Sequence, residues 1–194
     1  FMFICVAALL DDTSQNHIRC KTMRLMEHYR LPATAVLLPQ HVSLKMTFQC
    51  LNPEQLVAYF DALADAAPAA EIELDMIEAI PIEDHGKPSG LIWHTVVDDG
   101  RLRAVHNRLN DDLPALLGIQ NSPTDGDQFR FHTTVTYGAR RFEDYQKIVA
   151  EEQRHFAPMK VMLNRLSLFY SHEDQLKPGT FYAYRIRQLQ SRSH

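Results

Sequence analysis

The sequence predicts an α+β fold of two pseudo-symmetric lobes, in which antiparallel-rich sheets line a central cleft and helices lie outside. Three observations predict it. Segments of two-residue hydrophobic period alternate with segments of helical period along the chain. The order strand–helix–strand–helix–strand runs twice. Ile4 lines up with Ile92, His41 with His132 and Leu56 with Tyr145, at offsets of 88, 91 and 89 residues. A near-constant offset across several elements points to internal duplication, and a unit of this order buries its strands beneath its helices. The 194 residues are therefore read as a single bilobal domain, 1–194, with approximate repeats 1–80 and 91–189.

The elements follow in order. Residues 2–10 are an apolar run suited to a buried strand, too short for a membrane span and without the basic flank of a signal peptide. Thr13 or Ser14 caps a helix striped by Ile18, Thr22, Leu25 and Tyr29. After a loop between Pro32 and Pro39, HVSLKMTF alternates as a strand. Asn52-Pro53 starts a second helix, because Asn caps and Pro suits the first helical position. Leu56, Tyr59, Phe60 and Leu63 form its inner stripe, and EIELDMIEAI is the next strand. The loop PIEDHGKPSG (81–90), rich in Pro and Gly, is the expected lobe connection. In the second repeat GLIWHTVV is a strand, Leu102, Val105, Leu109 and Leu113 stripe a helix, and FRFHTTVTY is the matching alternating strand. A helix over 142–156 and strands near 160–170 and 180–189 complete the chain.

Composition narrows the function. Three cysteines without a CxxC spacing argue against a disulfide framework and a structural zinc site, and for a reducing cytoplasm. A net charge of −4 with scattered Lys and Arg gives no broad basic face. A small nucleotide or an RNA-end phosphate is the expected partner, with no membrane and no extended nucleic-acid surface; a monomer is favoured. The remaining histidines lack the spacing of a zinc cluster, so no metal and no cofactor is expected.

The chemistry sits on two strands. In HVSLKMTF, alternation places Val42, Leu44, Met46 and Phe48 on an apolar face and His41, Ser43, Lys45 and Thr47 on a polar one. In RFHTTVTY, Arg130, His132, Thr134 and Thr136 share one face, while Phe131, Thr133, Val135 and Tyr137 share the other. Each strand thus presents His, then a hydroxyl two residues on. Two imidazoles titrating near neutral pH can divide the proton transfers of phosphodiester cleavage. Hydroxyl donors can hold the phosphoryl oxygens as charge develops. A single H-x-[ST] is weak, since ten histidines give about one by chance; the pair at equivalent places in a repeat is far stronger. His94, beside Trp93, is expected to line either cleft or surface, and His106 to be mostly exposed or interfacial.

His41-Val42-Ser43-Leu44 and His132-Thr133-Thr134-Val135 resemble the paired H-x-[ST]-hydrophobic motifs of the 2H phosphoesterase superfamily. The stretch LRAVHNRLNDDL (102–113) and Asp125-Gly126-Asp127 are similar to its bacterial 2′-5′ RNA ligase-like branch. The resemblance implies a bilobal fold, metal-independent chemistry on 2′,3′-cyclic phosphates or 2′-5′ phosphodiesters, His41 and His132 as acid and base, and Ser43 and Thr134 on phosphate oxygens. His132 is assigned to activate water and His41 to protonate the leaving oxygen, in nearly interchangeable roles. Several relatives carry an Arg three residues beyond the second Thr, where this chain has Tyr137. Its contacts do not transfer, and Arg130 or Lys45, on the polar faces, are the cations left to supply them. The alternative is a non-catalytic module that binds phosphorylated nucleotides or RNA ends, though binding alone would be served as well by Arg or Lys.

Overall fold

The computed structural model describes residues 2–172, 181 and 183–190; the expected beginning of the last strand at 180 lies outside them, as does His194. Its elements are β1 Met2–Leu10, α1 Asp12–Tyr29, β2 His41–Ser43, β3 Phe48–Cys50, α2 Pro53–Ala66, β4 Ala70–Asp84, β5 Lys87–Val97, α3 Arg101–Leu117, β6 His132–Tyr137, α4 Phe142–Glu152, β7 Met159–His172 and β8 Ala183–Gln188. All eight strands join one sheet in the order β2-β1-β7-β4-β5-β6, with β3 paired to β1 and β8 to β7, and every ladder is antiparallel.

Two helix pairs cover the outer face. Ile4, Val6, Ala8 and Leu10 point toward Leu56, Phe60 and Leu63 of α2 and Leu102, Leu109 and Leu113 of α3. Met26 of α1 and Tyr145 and Ile148 of α4 pack on Ile77, Ile92 and Val135. The alternate residues of β1, Cys5, Ala7 and Leu9, face the other way, where they meet Phe169. A strand buried on both faces explains why residues 2–10 read as a continuous apolar run.

Several local expectations are corrected. Asp11, not Thr13 or Ser14, caps α1, its carboxylate accepting the Ser14 amide and hydroxyl. The segment 81–90 is not a lobe connection. It forms the end of the β4–β5 hairpin, turning at His85 and Gly86, whose φ values of 52° and 74° suit a tight two-residue turn. Pro81 and Pro88 sit where each strand has a neighbour on one side only. His106 is fully buried rather than exposed, because α3 turns Leu102, His106, Leu109 and Leu113 inward.

The largest correction concerns HVSLKMTF, which is broken between Ser43 and Phe48. Met46 is exposed, and Lys45 is buried with 1% of its surface accessible. Lys45 therefore does not lie on the cleft face. Its ammonium donates to Asn110 Oδ1 and Asn121 Oδ1 at 2.6 Å and to Asp125 Oδ2 at 2.9 Å. The Asp125 carboxylate also accepts the Met46 and Ser122 amides. His106 completes the network, Nδ1 donating to the Leu44 carbonyl and Nε2 accepting from the Gly126 amide and Asn110. A buried cation is tolerated only when its donors are filled. Here they are filled by Asn110 of α3 and by Asn121 and Asp125 of the loop that precedes β6, so the two motif regions are tied together.

Replacing Asp125 by Ala leaves that ammonium buried without its counter-charge, and should cost about 3–5 kcal/mol of stability. A urea titration reads this as a lowered midpoint; a midpoint within experimental error of the unmodified protein would refute the clamp.

Candidate active site

β2 and β6 are the two ends of the sheet path, yet they face each other. The join is made by side chains. The Gln15 amide of α1 grips the backbone of Gln40 at both groups, Nε2 donating to its carbonyl and Oε1 accepting its N–H, each at 2.7 Å. The Gln40 side chain then accepts the fully buried Thr133 hydroxyl at 3.0 Å. Gln40 immediately precedes His41, and Thr133 immediately follows His132. The strand ladders set the rest: His41 and Ser43 oppose Leu9 and Ala7 on β1, while His132 and Thr134 oppose Thr95 and Trp93 on β5.

Both imidazoles are anchored identically. His41 Nδ1 lies 2.8 Å from the Pro39 carbonyl and His132 Nδ1 lies 2.8 Å from the Arg130 carbonyl, each two residues back in sequence. A carbonyl only accepts, so Nδ1 carries the proton in both rings and Nε2 is the atom left for chemistry. Their surroundings then diverge. His41 meets Phe169 edge-on, with centroids 4.7 Å apart, whereas His132 stacks on Trp93 at 4.0 Å with an interplanar angle of 27°. Burial pushes the His41 ring down to about 4, the Pro39 carbonyl opposing and the charge of His132 adding to the fall. His132 is also lowered, first by burial, with the Arg130 carbonyl opposing and its guanidinium contributing. That His132 acts on His41 through its charge places the two rings in one electrostatic environment.

The hydroxyls lie beside the rings. Ser43 Oγ is 3.5 Å from Cys5 Sγ, and Ser43 and Thr134 are both half-buried. Burial pushes the Cys5 thiol up to about 11. Arg130 remains near His132, but its guanidinium is paired with Glu78 at 2.5 Å and lies 5.2 Å from the Trp93 ring centroid. Among the expected site residues the sheet thus brings together His41, Ser43, His132, Thr134 and Arg130, and sends Lys45 away. A register shift between Ile92 and Trp93 also turns Thr136 inward, where it donates to the Pro32 carbonyl, and leaves Tyr137 exposed. Such a bulge reverses the alternation beyond it. Gln15, Gln40, Glu78 and Trp93 were not found from the motifs. His94 faces away from the cleft against Phe156, buried, its Nδ1 without a partner. Among the described residues no three His, Cys, Asp or Glu side chains gather as a metal ion would require.

The buried histidines set a pH dependence of stability. His94 is pushed down to about 4 by burial and then by the charge of Lys21, alongside His41 at about 4. Above the ordinary value of about 6.5 neither folded nor unfolded rings are charged, and they add no slope. As pH falls from 6.5 toward 4 the unfolded chain takes up protons that the folded chain refuses, so stability drops. The slope is at most about 1.4 kcal/mol per pH unit for each ring, less for the half-buried His41. Denaturation at a series of pH values should show this decline, and should lose part of it in His94→Phe; a flat profile between 6.5 and 4 would contradict it.

Comparison with known proteins agrees with this fold. The sequence pattern of the 2′-5′ RNA ligase superfamily matches residues 11–175. No curated protein matches the chain at a significant level. Among solved structures, the fold is similar to TT0787 of Thermus thermophilus, with a TM-score of 0.57, 18% identity and coverage of 97% of this chain and 95% of that one. It is similar to Usb1 of Kluyveromyces marxianus, with a TM-score of 0.57, 15% identity and coverage of 97% and 98%. Usb1 has also been solved with uridine monophosphate, and that structure superposes with a TM-score of 0.51 at 12% identity over the same shares. These likenesses concern the fold; the pattern spanning both histidine motifs decides the family, and the chain belongs to the 2′-5′ RNA ligase superfamily.

Proposed function

We propose that this protein is a metal-independent phosphodiesterase acting on 2′,3′-cyclic phosphates or 2′-5′ phosphodiesters of RNA or small nucleotides. The observation that carries the reading is the matched pair of imidazoles on facing strands, each with Nδ1 committed to a carbonyl and, among the described residues, no hydrogen-bond partner at Nε2. One neutral Nε2 takes a proton from the attacking water as its oxygen bonds to phosphorus. One protonated Nε2 gives its proton to the ribose oxygen as the old P–O bond breaks. Ser43 and Thr134 donate to the phosphoryl oxygens, whose charge grows in the transition state. The uridine monophosphate bound by Usb1 supports a nucleotide-sized substrate.

The surroundings support a division of labour opposite to the one expected from sequence. His41, held at about 4 by burial and by the charge of its partner, is neutral over most of the working range and suits the base. His132, whose charge is among the causes that lower His41, suits the acid. A phosphate between them favours the protonated ring further, since an opposite charge within about 4–6 Å stabilises imidazolium.

His41→Ala and His132→Ala should each lower kcat/KM on 2′,3′-cyclic nucleotides or 2′-5′ dinucleotides by about 10²-fold or more, with the double variant little worse than the poorer single one. Turnover should persist in EDTA. Near-native rates in either single variant would end the two-histidine reading, and loss in chelator restored by a divalent metal would replace it.

The pH profile of kcat/KM should be bell-shaped. It rises as His41 loses its proton near 4 and falls as His132 loses its own below the ordinary 6.5, so the maximum lies on the acid side of 6.5. A monotonic profile would contradict the proposal.

A further inference from the structure

The site's two rings have matched anchors but unmatched neighbours, and Trp93 is where they differ. Its indole lies stacked on His132, its Nε1–H donates to Glu78 Oε2 at 2.9 Å, and the same carboxylate oxygen accepts Arg130. Trp93 is almost fully buried, and the half-buried His132 ring lies against it.

We propose that Trp93 is a positioning residue that holds the His132 ring and favours its protonated form, making His132 the acid of the pair. The assignment of roles rests on the phosphodiesterase reading; the Trp93–His132 coupling does not. An indole face attracts a cation more strongly than any other side-chain ring, and more so when water is excluded.

Among the described residues, few charges face His132. Arg130, two residues earlier in the chain, disfavours a proton, while His41 on β2, lowered to about 4, is neutral over most of the working range. Glu78 on β4 offsets Arg130 at close range. Trp93 and Thr95 on β5 bring no charge. Glu78 therefore has two duties: its bond to Nε1 fixes the indole plane, and its charge cancels the guanidinium that would otherwise expel the proton. Arg130, tied in this way, acts as part of the frame around His132 rather than as a free phosphate ligand.

The test is the His132 titration in the free, full-length protein, followed by NMR of imidazole carbons and nitrogens. Its midpoint should fall by about 0.5–1.5 pH units in Trp93→Leu, and by less in Trp93→Phe, which keeps a weaker ring. Glu78→Gln should lower it too, by uncovering Arg130. The His41 midpoint should stay or rise slightly. Trp93 is the single tryptophan of the chain, and an imidazolium in contact quenches indole emission. Emission should therefore drop on acidification with the His132 midpoint, and the drop should vanish in His132→Gln. In turnover, Trp93→Phe should move the alkaline limb of the pH profile acidward while leaving the acid limb in place, which loss of packing alone would not do. If Trp93→Leu does not fold, Trp93→Phe and Glu78→Gln decide. An unchanged or raised His132 midpoint in these variants overturns the proposal. A shifted midpoint in a protein that cleaves none of the nucleotides leaves the coupling standing and removes the phosphodiesterase reading instead.

Discussion

Gln40 joins the two ends of the sheet, and the shape of the cleft follows from that join. No backbone ladder links β2 to β6 among the described residues; their approach is fixed by the Gln15 amide on the Gln40 backbone and by the Gln40 amide on Thr133. Each bond involves a group at or near full burial, where a missing partner costs more than the bond itself contributes. The histidines are chain neighbours of the two linked residues, so their separation is inherited from a buried polar contact rather than from the flexible reach of their own side chains. The Lys45–Asp125–His106 network ties the same two regions together a second time.

Within this frame the chemistry depends on asymmetry. Two rings with the same anchor and the same surroundings would hold protons equally well, and neither would be biased toward acid or base. Edge-on Phe169 and stacked Trp93 break that equivalence. A tilted ring and a stacked one present different parts of their quadrupoles, so the two contacts act unequally on a developing imidazolium.

Much of the fold was legible because burial writes periodicity into sequence. The stripes of α2 and α3, the cap at Asn52 and the apolar β1 all follow from one buried face or two. The motif pairs His41/Ser43 and His132/Thr134 were legible for the same reason. Illegible were the places where a strand stops alternating. Lys45 looked like an ordinary outward strand residue, because nothing local signals that Asn110, Asn121 and Asp125, far along the chain, will enclose it. Thr136 and Tyr137 exchanged faces through a bulge that no residue in β6 announces. Trp93 left no motif signal, since its stack on His132 joins two separate strands. Gln15 and Gln40 left no such signal, since a glutamine that binds backbone reads like any polar residue.

The meeting of β2 and β6 has a consequence for the protein in solution. An open sheet offers unpaired N–H and C=O groups at its margins, and these invite strand addition by other chains. Here one margin is only three residues long, the other six, and each is turned toward the other. The Gln40–Thr133 bond crosses between them, which holds the two margins against each other. The meeting of β2 and β6 thus shields these two edges from strand addition, and variants that splay them should be prone to aggregate before they are prone to unfold.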